Sequence, residues 1–296
     1  MMNNNYDVMD DMHHTSEKRL SNQEYANIKK EERKQLSIMA NDQAVTVASS
    51  PKIYLAYLGV QARLGYTVNN TLLVMNQFPN AKLVKDYDAW KKDNTYVKRN
   101  PVSIKILEPG NEFKRRDGST GRNYVVKKVF DVSQTSKANE SLENPRYDIQ
   151  SLVTAITFQA EILPKITSND SLLPSDVYYD TSAQEIFVKE RLSPNTMLSG
   201  LIHEYCKAEC LNKGCDESFI VDSAAYMIHA KYGIESKNID FVDDVNRYFY
   251  GMDAKEIKHD LNIIKQVFDS IDRRMDKGLY NHKQEKDTKH VEHDAR

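Results

Sequence analysis

The stretch "LIHEYCKAEC", Leu201 to Cys210, begins with a histidine and a glutamate in the order found in zinc peptidases. There the pattern H-E-x-x-H places two imidazoles on one helix face, and the glutamate activates the metal-bound water. Here His203 and Glu204 fill the first two positions, but Lys207 replaces the second histidine. A lysine ammonium has no lone pair at neutral pH, so Lys207 cannot act as an ordinary metal ligand. The motif therefore predicts a peptidase-like helix whose metal site has changed.

The segments around this helix predict a mixed α+β fold. Ser193 and Pro194 mark the start of the helix, and Gly233 ends the helix that follows it. A hairpin is predicted at 176–190, and a last helix at 253–277. In the first half we predict helices at about 22–48, 51–65, 68–78 and 86–94. A second hairpin with a long basic tip, "RRDGSTGRN", follows them.

Composition indicates a folded protein without a membrane span. The chain has 40% hydrophobic and 28% charged residues, and it has no run of 18 apolar residues. Its first 20 residues are polar and lack the apolar region of a signal peptide. Three cysteines, an odd number, argue against a disulfide scaffold. We therefore expect a cytoplasmic location.

Charge is distributed unequally between the two halves of the chain. Residues 51–140 contain 16 Lys and Arg against 8 Asp and Glu, whereas residues 199–280 contain 11 against 15. A basic segment with interspersed aromatic residues is typical of single-stranded nucleic-acid binding, which combines phosphate contacts with base stacking. The predicted DNA-binding residues are Trp90, Lys91, Lys105, Lys114, Arg115, Arg116, Arg122, Tyr124 and Lys127. A solvated basic turn is the alternative for the hairpin tip, and a structural anchor is the alternative for Trp90.

Five stretches occur in a characteristic order: "NNTLLVMNQFPNAKLVKDYDAWKK", "NPVSIKILEPG", "YVVKKVFDVSQT", "VYYDTSAQEIFVKE" with "LIHEYCKAE", and "VDSAAYMIHAKYGI". Together they resemble the ArdC-type antirestriction proteins of plasmids and conjugative elements, over roughly residues 68–234. The resemblance implies a small α+β domain that binds single-stranded DNA, followed by a mainly helical, zincin-like metallopeptidase domain. It also implies a role in protecting incoming single-stranded DNA from restriction during conjugation.

The predicted organisation has four segments. Residues 1–50 form a polar tail and an N-terminal helix, and residues 51–140 form the ArdC-like DNA-binding domain. A polar linker at 134–146 precedes the zincin-like domain at 147–277, and residues 278–296 form a charged tail.

The resemblance also implies an acidic third metal ligand on the next helix. Asp222, in "DSAAY", stands where the family has glutamate, and it is one methylene shorter. Cys206 is three residues after His203 and is a candidate substitute ligand. The predicted site thus has His203, Asp222 and Cys206 as ligands of a zinc ion, with Glu204 as the catalytic base. Alternatively the site holds no metal.

A metal-free arrangement of the same residues is a further possibility. In it the Lys207 ammonium occupies the metal position and pairs with Glu204 and Asp222. His229 is expected to be a packed or surface histidine that is not part of the site.

We therefore predict a single-stranded DNA-binding accessory protein of a mobile element, with a degenerate peptidase domain that is not a competent enzyme. Two alternatives stay open. One is an active zinc metallopeptidase with substituted ligands that depends on Glu204. The other is an interaction module that docks a restriction or conjugation protein. No sequence signature of base-specific DNA recognition occurs in the chain.

Overall fold

The computed structural model describes residues 21–139, 146–168, 173–236 and 240–294, with side chains given as far as residue 284. The first half contains α1 (Asn22–Ala48), α2 (Pro51–Leu64), α3 (Val68–Gln77), β1 (Val84–Lys85), α4 (Tyr87–Lys92), β2 (Ile104–Lys114) and β3 (Thr120–Asp131). The second half contains α5 (Ile149–Thr157), β4 (Pro164–Thr167), β5 (Val177–Asp180), β6 (Glu185–Lys189), α6 (Pro194–Asn212), α7 (Ser218–Tyr232), α8 (Val245–Tyr248) and α9 (Ala254–Asp294).

The α+β class is confirmed, and both predicted hairpins and the long helices are present. The last helix was predicted to end at residue 277, but α9 continues to Asp294 because the following residues include good helix formers such as Lys, Gln and Glu. The tail predicted at residues 1–20 lies outside the described residues. So does much of the linker predicted at 134–146.

The first sheet is antiparallel with strand order β1-β3-β2. In its register Lys105 is opposite Lys128, and Ile106 is opposite Lys127. The pairing shifts between Pro109 and Glu112, where β2 contains one more residue than β3. Such a bulge bends the strand and increases its twist. Beyond the bulge, most residues of the hairpin are exposed.

The outer edge of β2 is covered by two side-chain amides of α3. The Asn70 Oδ1 accepts from the Leu107 N–H at 3.0 Å, and its Nδ2 donates to the Leu107 carbonyl at 2.9 Å. Gln77 forms the same pair of bonds with the backbone of Lys105, at 2.9 and 2.8 Å. The two amides thus satisfy backbone groups that an edge strand otherwise leaves unpaired.

The second sheet has strand order β4-β6-β5, with β4 parallel and β5 antiparallel to β6. Helix α6 packs closely against β5. A Cβ atom at Gly200 would lie 2.5 Å from the Val177 Cγ2 atom, so only glycine permits this approach. The close packing brings the α6 face that carries His203 and Glu204 near the start of β5.

The largest hydrophobic core joins helices from both halves of the chain. Tyr54 of α2 is fully buried, its hydroxyl lies 2.7 Å from the Ser223 Oγ of α7, and its ring contacts Phe219. The domain boundary at 134–146 stays a prediction, and α2 on its N-terminal side shares buried contacts with α7. Within the described ranges, no helix has the length and apolar character needed to cross a bilayer.

Candidate functional site

Helices α6 and α7 position the side chains of the predicted peptidase-like site. The Ser193 side chain caps α6 by accepting a hydrogen bond from the Thr196 N–H at 3.1 Å. Helix α7 ends at Gly233, whose φ of 64° lies in the left-handed region that glycine adopts without strain. His203 and Glu204 of α6 face Asp222 of α7 across the helix pair.

His203 lies between two carboxylates. Its Nδ1 is 2.9 Å from the Glu204 Oε1, and its Nε2 is 3.3 Å from the Asp222 Oδ1. The second oxygen of Glu204 accepts a hydrogen bond of 2.9 Å from the Tyr179 N–H of β5. Glu204 is buried, so these contacts compensate for the cost of removing its charge from water. The cluster therefore connects α6, α7 and β5.

The two carboxylates determine the charge of His203. The hydrogen bonds to Asp222 and then to Glu204 raise the pKa of His203 to about 9, against the opposing effect of burial. At neutral pH the ring is thus an imidazolium, with both nitrogens donating. A metal ion would have to displace this proton, because a protonated imidazole has no lone pair to offer it.

The residues predicted as zinc ligands do not fit a metal in this arrangement. His203 is engaged as a donor, and Cys206 is fully buried in the core rather than lining the cavity beside His203. Burial also raises the pKa of the Cys206 thiol, which disfavours the thiolate that binds zinc. No group of three His, Cys, Asp or Glu side chains able to hold a metal occurs in the described part of the chain.

The alternative in which the Lys207 ammonium occupies the metal position is wrong, because Lys207 does not pair with Glu204 or Asp222. Its Nζ lies 5.6 Å from the centre of the Tyr178 ring, in a cation–π contact. Glu204 and Asp222, which were expected to pair with Lys207, instead both contact His203. His203 thus supplies the positive charge between the two helices.

A cavity of about 440 Å³ opens beside this cluster, between α6, α7 and the segments at 175–177 and 234–236. Its lining includes His203, Glu204, Asp222, Ser199 and His229. His229 is buried, which agrees with the packed alternative expected from the sequence, but it lines this cavity, whereas we expected it to lie outside the site. His229 lies seven residues after Asp222, so both side chains are on the same face of α7. This spacing in the sequence is the signal that indicates His229 as a residue of the site.

The second candidate site is the β2–β3 hairpin. Its tip carries Lys114, Arg115 and Arg116, all exposed, and the described residues offer these three side chains no carboxylate partner. Tyr124 on β3 is 49% exposed and Phe113 on β2 is 42% exposed. Arg115 also donates a hydrogen bond of 3.2 Å to the Ser119 Oγ. The hairpin thus carries exposed cations and accessible aromatic rings, the two kinds of group that stacking and phosphate binding require.

Three other predicted DNA-binding cations are engaged within the chain. Lys105 pairs with Glu32 of α1 at 2.7 Å, and Arg122 pairs with Glu112 across the hairpin. Lys127 pairs with Asp86 at 2.6 Å and with Glu108 at 3.0 Å. Lys105 and Lys127 lie on opposite faces of the sheet, because Lys128, not Lys127, is opposite Lys105.

Trp90 is a structural anchor, so the prediction that it binds DNA by stacking is wrong. The side chain is 2% exposed, and its Nε1 donates a hydrogen bond of 2.9 Å to the Phe130 carbonyl. The Lys85 ammonium lies 5.2 Å from the ring centre. Lys91, beside it on α4, is exposed. Of these two predicted residues, Lys91 is thus the one that a ligand can reach.

Two residues outside the predicted set belong to the hairpin surface. Lys128 is exposed, and its place opposite Lys105 depends on a register that the sequence does not specify. The Phe113 ring covers Gly121 on the opposite strand, where an added Cβ would lie 2.7 Å from the ring. This packing holds the ring at the tip while leaving part of it exposed.

No protein-family model matches the sequence, and no curated protein matches it. The solved structures similar to this chain include two of the antirestriction protein ArdC from plasmid R388, one metal-free and one with Mn(II) bound. The metal-free structure is 15% identical to this chain, and the match covers 73% of this chain and 86% of the ArdC chain. The Mn(II)-bound structure is 14% identical, and the match covers 71% of this chain and 85% of the ArdC chain. The TM-score is 0.45 for both. These proteins are of the family that the sequence motifs resemble.

Proposed function

We propose that this chain is a single-stranded DNA-binding accessory protein of the antirestriction type, acting in the cytoplasm on the DNA of a mobile element. The observation that carries the proposal is the β2–β3 hairpin, where Lys114, Arg115 and Arg116 are exposed at the tip beside Phe113, and Tyr124 is exposed four residues after Thr120 on β3. The antirestriction role rests on the resemblance of the sequence motifs to the ArdC family.

Several features favour single strands over duplex DNA. Unpaired bases expose their faces, and each base stacked on an aromatic side chain contributes about 1–3 kcal/mol. Tyr124 and Phe113 offer such rings on a narrow projecting hairpin. Base-specific contacts are not part of the proposal, since the exposed cations are suited to phosphates rather than to base edges.

The α6–α7 site supports a metal-independent role better than metallopeptidase chemistry. In a metallopeptidase, Glu204 would accept a proton from the metal-bound water. Here both of its oxygens already accept hydrogen bonds, from His203 and from the Tyr179 N–H. We propose that the His203–Glu204–Asp222 cluster docks α6 onto α7 and β5. A second candidate function is an interaction with a restriction or conjugation protein, to which we assign no separate docking surface.

Fluorescence anisotropy with labelled oligonucleotides tests the DNA-binding proposal. We expect the full chain to bind a 20-nucleotide single strand of mixed sequence more tightly than the duplex of the same sequence. A second single strand of different sequence should bind with similar affinity, because stacking and phosphate contacts tolerate sequence changes. Equal affinity for duplex and single strand, or no binding at low salt, would contradict the proposal.

A further inference from the structure

Two side chains of the α6–α7 cavity have no part in the proposed function, Ser199 on α6 and His229 on α7. The Ser199 Oγ lies 3.3 Å from the His229 Nε2, and the His229 Nδ1 lies 2.8 Å from the Ala225 carbonyl oxygen. A carbonyl oxygen only accepts hydrogen bonds, so Nδ1 carries the proton in the neutral ring. The lone pair of Nε2 then faces the serine hydroxyl.

The surroundings keep His229 in the form that a base requires. The side chain is 7% exposed, and burial lowers its pKa against the opposing effect of the hydrogen bond to the Ala225 carbonyl; the charge of His203 lowers the pKa further by a smaller amount. Ser199 is partly exposed, and both residues line the cavity of about 440 Å³. A ligand in the cavity can therefore reach the hydroxyl while the imidazole is shielded behind it.

We propose that Ser199 and His229 form a nucleophile and general-base pair that attacks the carbonyl carbon of an ester or amide bound in this cavity. The Ala225 carbonyl orients the base, which is the role of the third member in serine-based triads. The pair thus satisfies two geometric requirements for covalent catalysis: the nucleophile is hydrogen-bonded to the base, and the base is hydrogen-bonded to an orienting group.

The reaction step balances as follows. The Ser199 Oγ forms a bond to the carbonyl carbon and transfers its proton to the His229 Nε2. The bond to the leaving alcohol or amine then breaks, and His229 returns the proton to that group. Ser199 is left as an acyl ester, which water hydrolyses with His229 again as base. No metal ion or redox partner takes part.

The cavity lining indicates the class of substrate. Glu235 brings a carboxylate to the rim, and Asp176 brings a second one that also pairs with Lys189 at 3.3 Å. Asn195 lies one helical turn before Ser199 on the same face of α6. Carboxylates at a rim attract positive charge. The side-chain amide of Asn195 can donate to the developing oxyanion. We therefore expect an ester or amide that carries a cationic group, such as a basic peptide.

Diisopropyl fluorophosphate tests the pair directly, because it labels serines that a neighbouring base activates. The Ser199 Oγ would bond to phosphorus, fluoride would leave, and His229 would take up the serine proton. Incubation of the full chain, followed by peptide mass mapping, should show one adduct at Ser199. Ser193 provides an internal control, since it lies in the same segment and bonds to Thr196 instead of a histidine.

Two variants separate reactivity from packing. Ser199→Ala should give no adduct, and His229→Gln should slow labelling of Ser199 about a hundredfold, the usual scale of general-base catalysis. Thermal unfolding followed by circular dichroism reports whether each variant folds. The proposal is overturned if the wild-type chain forms no adduct at Ser199, or if Ser193 is labelled as strongly as Ser199. It is also overturned if a folded His229→Gln variant is labelled at Ser199 at the wild-type rate.

Nitrogen NMR of the wild-type chain tests the pair without any variant. At pH 7 we expect the His229 Nδ1 to be protonated and Nε2 to be unprotonated. The opposite tautomer, or an imidazolium, would overturn the proposal. Single-stranded DNA affinity distinguishes this inference from the proposed function, because Ser199→Ala should bind DNA as the wild type does.

Discussion

Lys105 of β2 and Lys128 of β3 are directly opposite each other, and their side chains extend from the same face of the sheet. Two like charges in this position repel, and Glu32 of α1 offsets the repulsion by pairing with Lys105 at 2.7 Å. On β3 the same face continues through Tyr124 and Arg122 at two-residue intervals. This face therefore has cations on both sides of the exposed Tyr124 ring: Lys128 and the Glu32-paired Lys105 on one side, and Arg122, which pairs with Glu112, on the other.

Tyr124 should contribute directly to single-stranded DNA affinity. We expect Tyr124→Ala to weaken binding by roughly 1–3 kcal/mol, the contribution of one stacked base. Tyr124→Phe keeps the ring and should bind nearly as the wild type does. Anisotropy titrations of both variants at one salt concentration provide the comparison. Equal affinity of the alanine variant and the wild type would show that no base stacks on this ring.

Trp90 gives an optical check on the location of the DNA site. It is the only tryptophan in the chain, and its side chain is buried against Phe130. Single-stranded DNA bound at the hairpin should leave the intrinsic tryptophan fluorescence nearly unchanged at saturation. Strong quenching or a shift of the emission maximum would mean that DNA contacts or rearranges α4.

The amide of Asn70 should stabilise the edge of β2. We expect Asn70→Ala to lower the free energy of unfolding by roughly 1–3 kcal/mol, because it leaves the Leu107 N–H and carbonyl without their partner. Urea denaturation measures the change. Asn76→Ala on the same helix is the control, since Asn76 is exposed and bonds to the Gln43 side chain. A similar small effect of both substitutions would contradict this role.

The His203 cluster predicts a loss of stability at alkaline pH. The pKa of His203 is about 9 in the folded chain, against about 6.5 in an unfolded one. A raised folded pKa contributes stability that is fully present below about pH 6.5 and is lost as the pH rises through about 9. Urea denaturation at pH 6 and pH 9.5 should therefore show a smaller free energy of unfolding at the higher pH.

The control for this measurement is His203→Gln, which removes the titrating group. Its free energy of unfolding should fall less between the two pH values than that of the wild type. A wild type and variant with the same pH dependence would show that the carboxylates Glu204 and Asp222 do not hold a proton on His203.

Local features of the sequence predict most of the elements. Ser193 and Pro194 start α6, Gly233 ends α7, and the Asp117–Gly118 turn closes the β2–β3 hairpin. These boundaries follow from backbone conformations that few residues adopt well. The two-residue strand β1 and the parallel strand β4 were missed, because their pairing depends on distant residues rather than on a local pattern.

The sites were harder to predict because they depend on contacts between elements. Because side chains alternate along β3, only one of Lys127 and Lys128 can share a face with Lys105. The sequence does not show which of the two it is, because that depends on the register between β2 and β3. The motif identifies His203 and Glu204. It does not reveal that Asp222 and Glu204 stabilise the protonated form of His203, or that His229 reaches Ser199. These depend on how α6 and α7 pack together.

The central claim is that the hairpin tip binds the phosphates of single-stranded DNA. Its most direct test is the salt dependence of affinity for the wild type and for a variant with Lys114, Arg115 and Arg116 changed to alanine. A matched variant changes three exposed cations elsewhere, Arg247, Lys255 and Lys283. Each phosphate contact contributes about −0.7 to the slope of log affinity against log salt.

We predict that the tip variant binds more weakly at low salt and that its slope is shallower than the wild-type slope by about 2. The matched variant should keep the wild-type slope. An unchanged slope in the tip variant, or the same loss in both variants, would contradict the account.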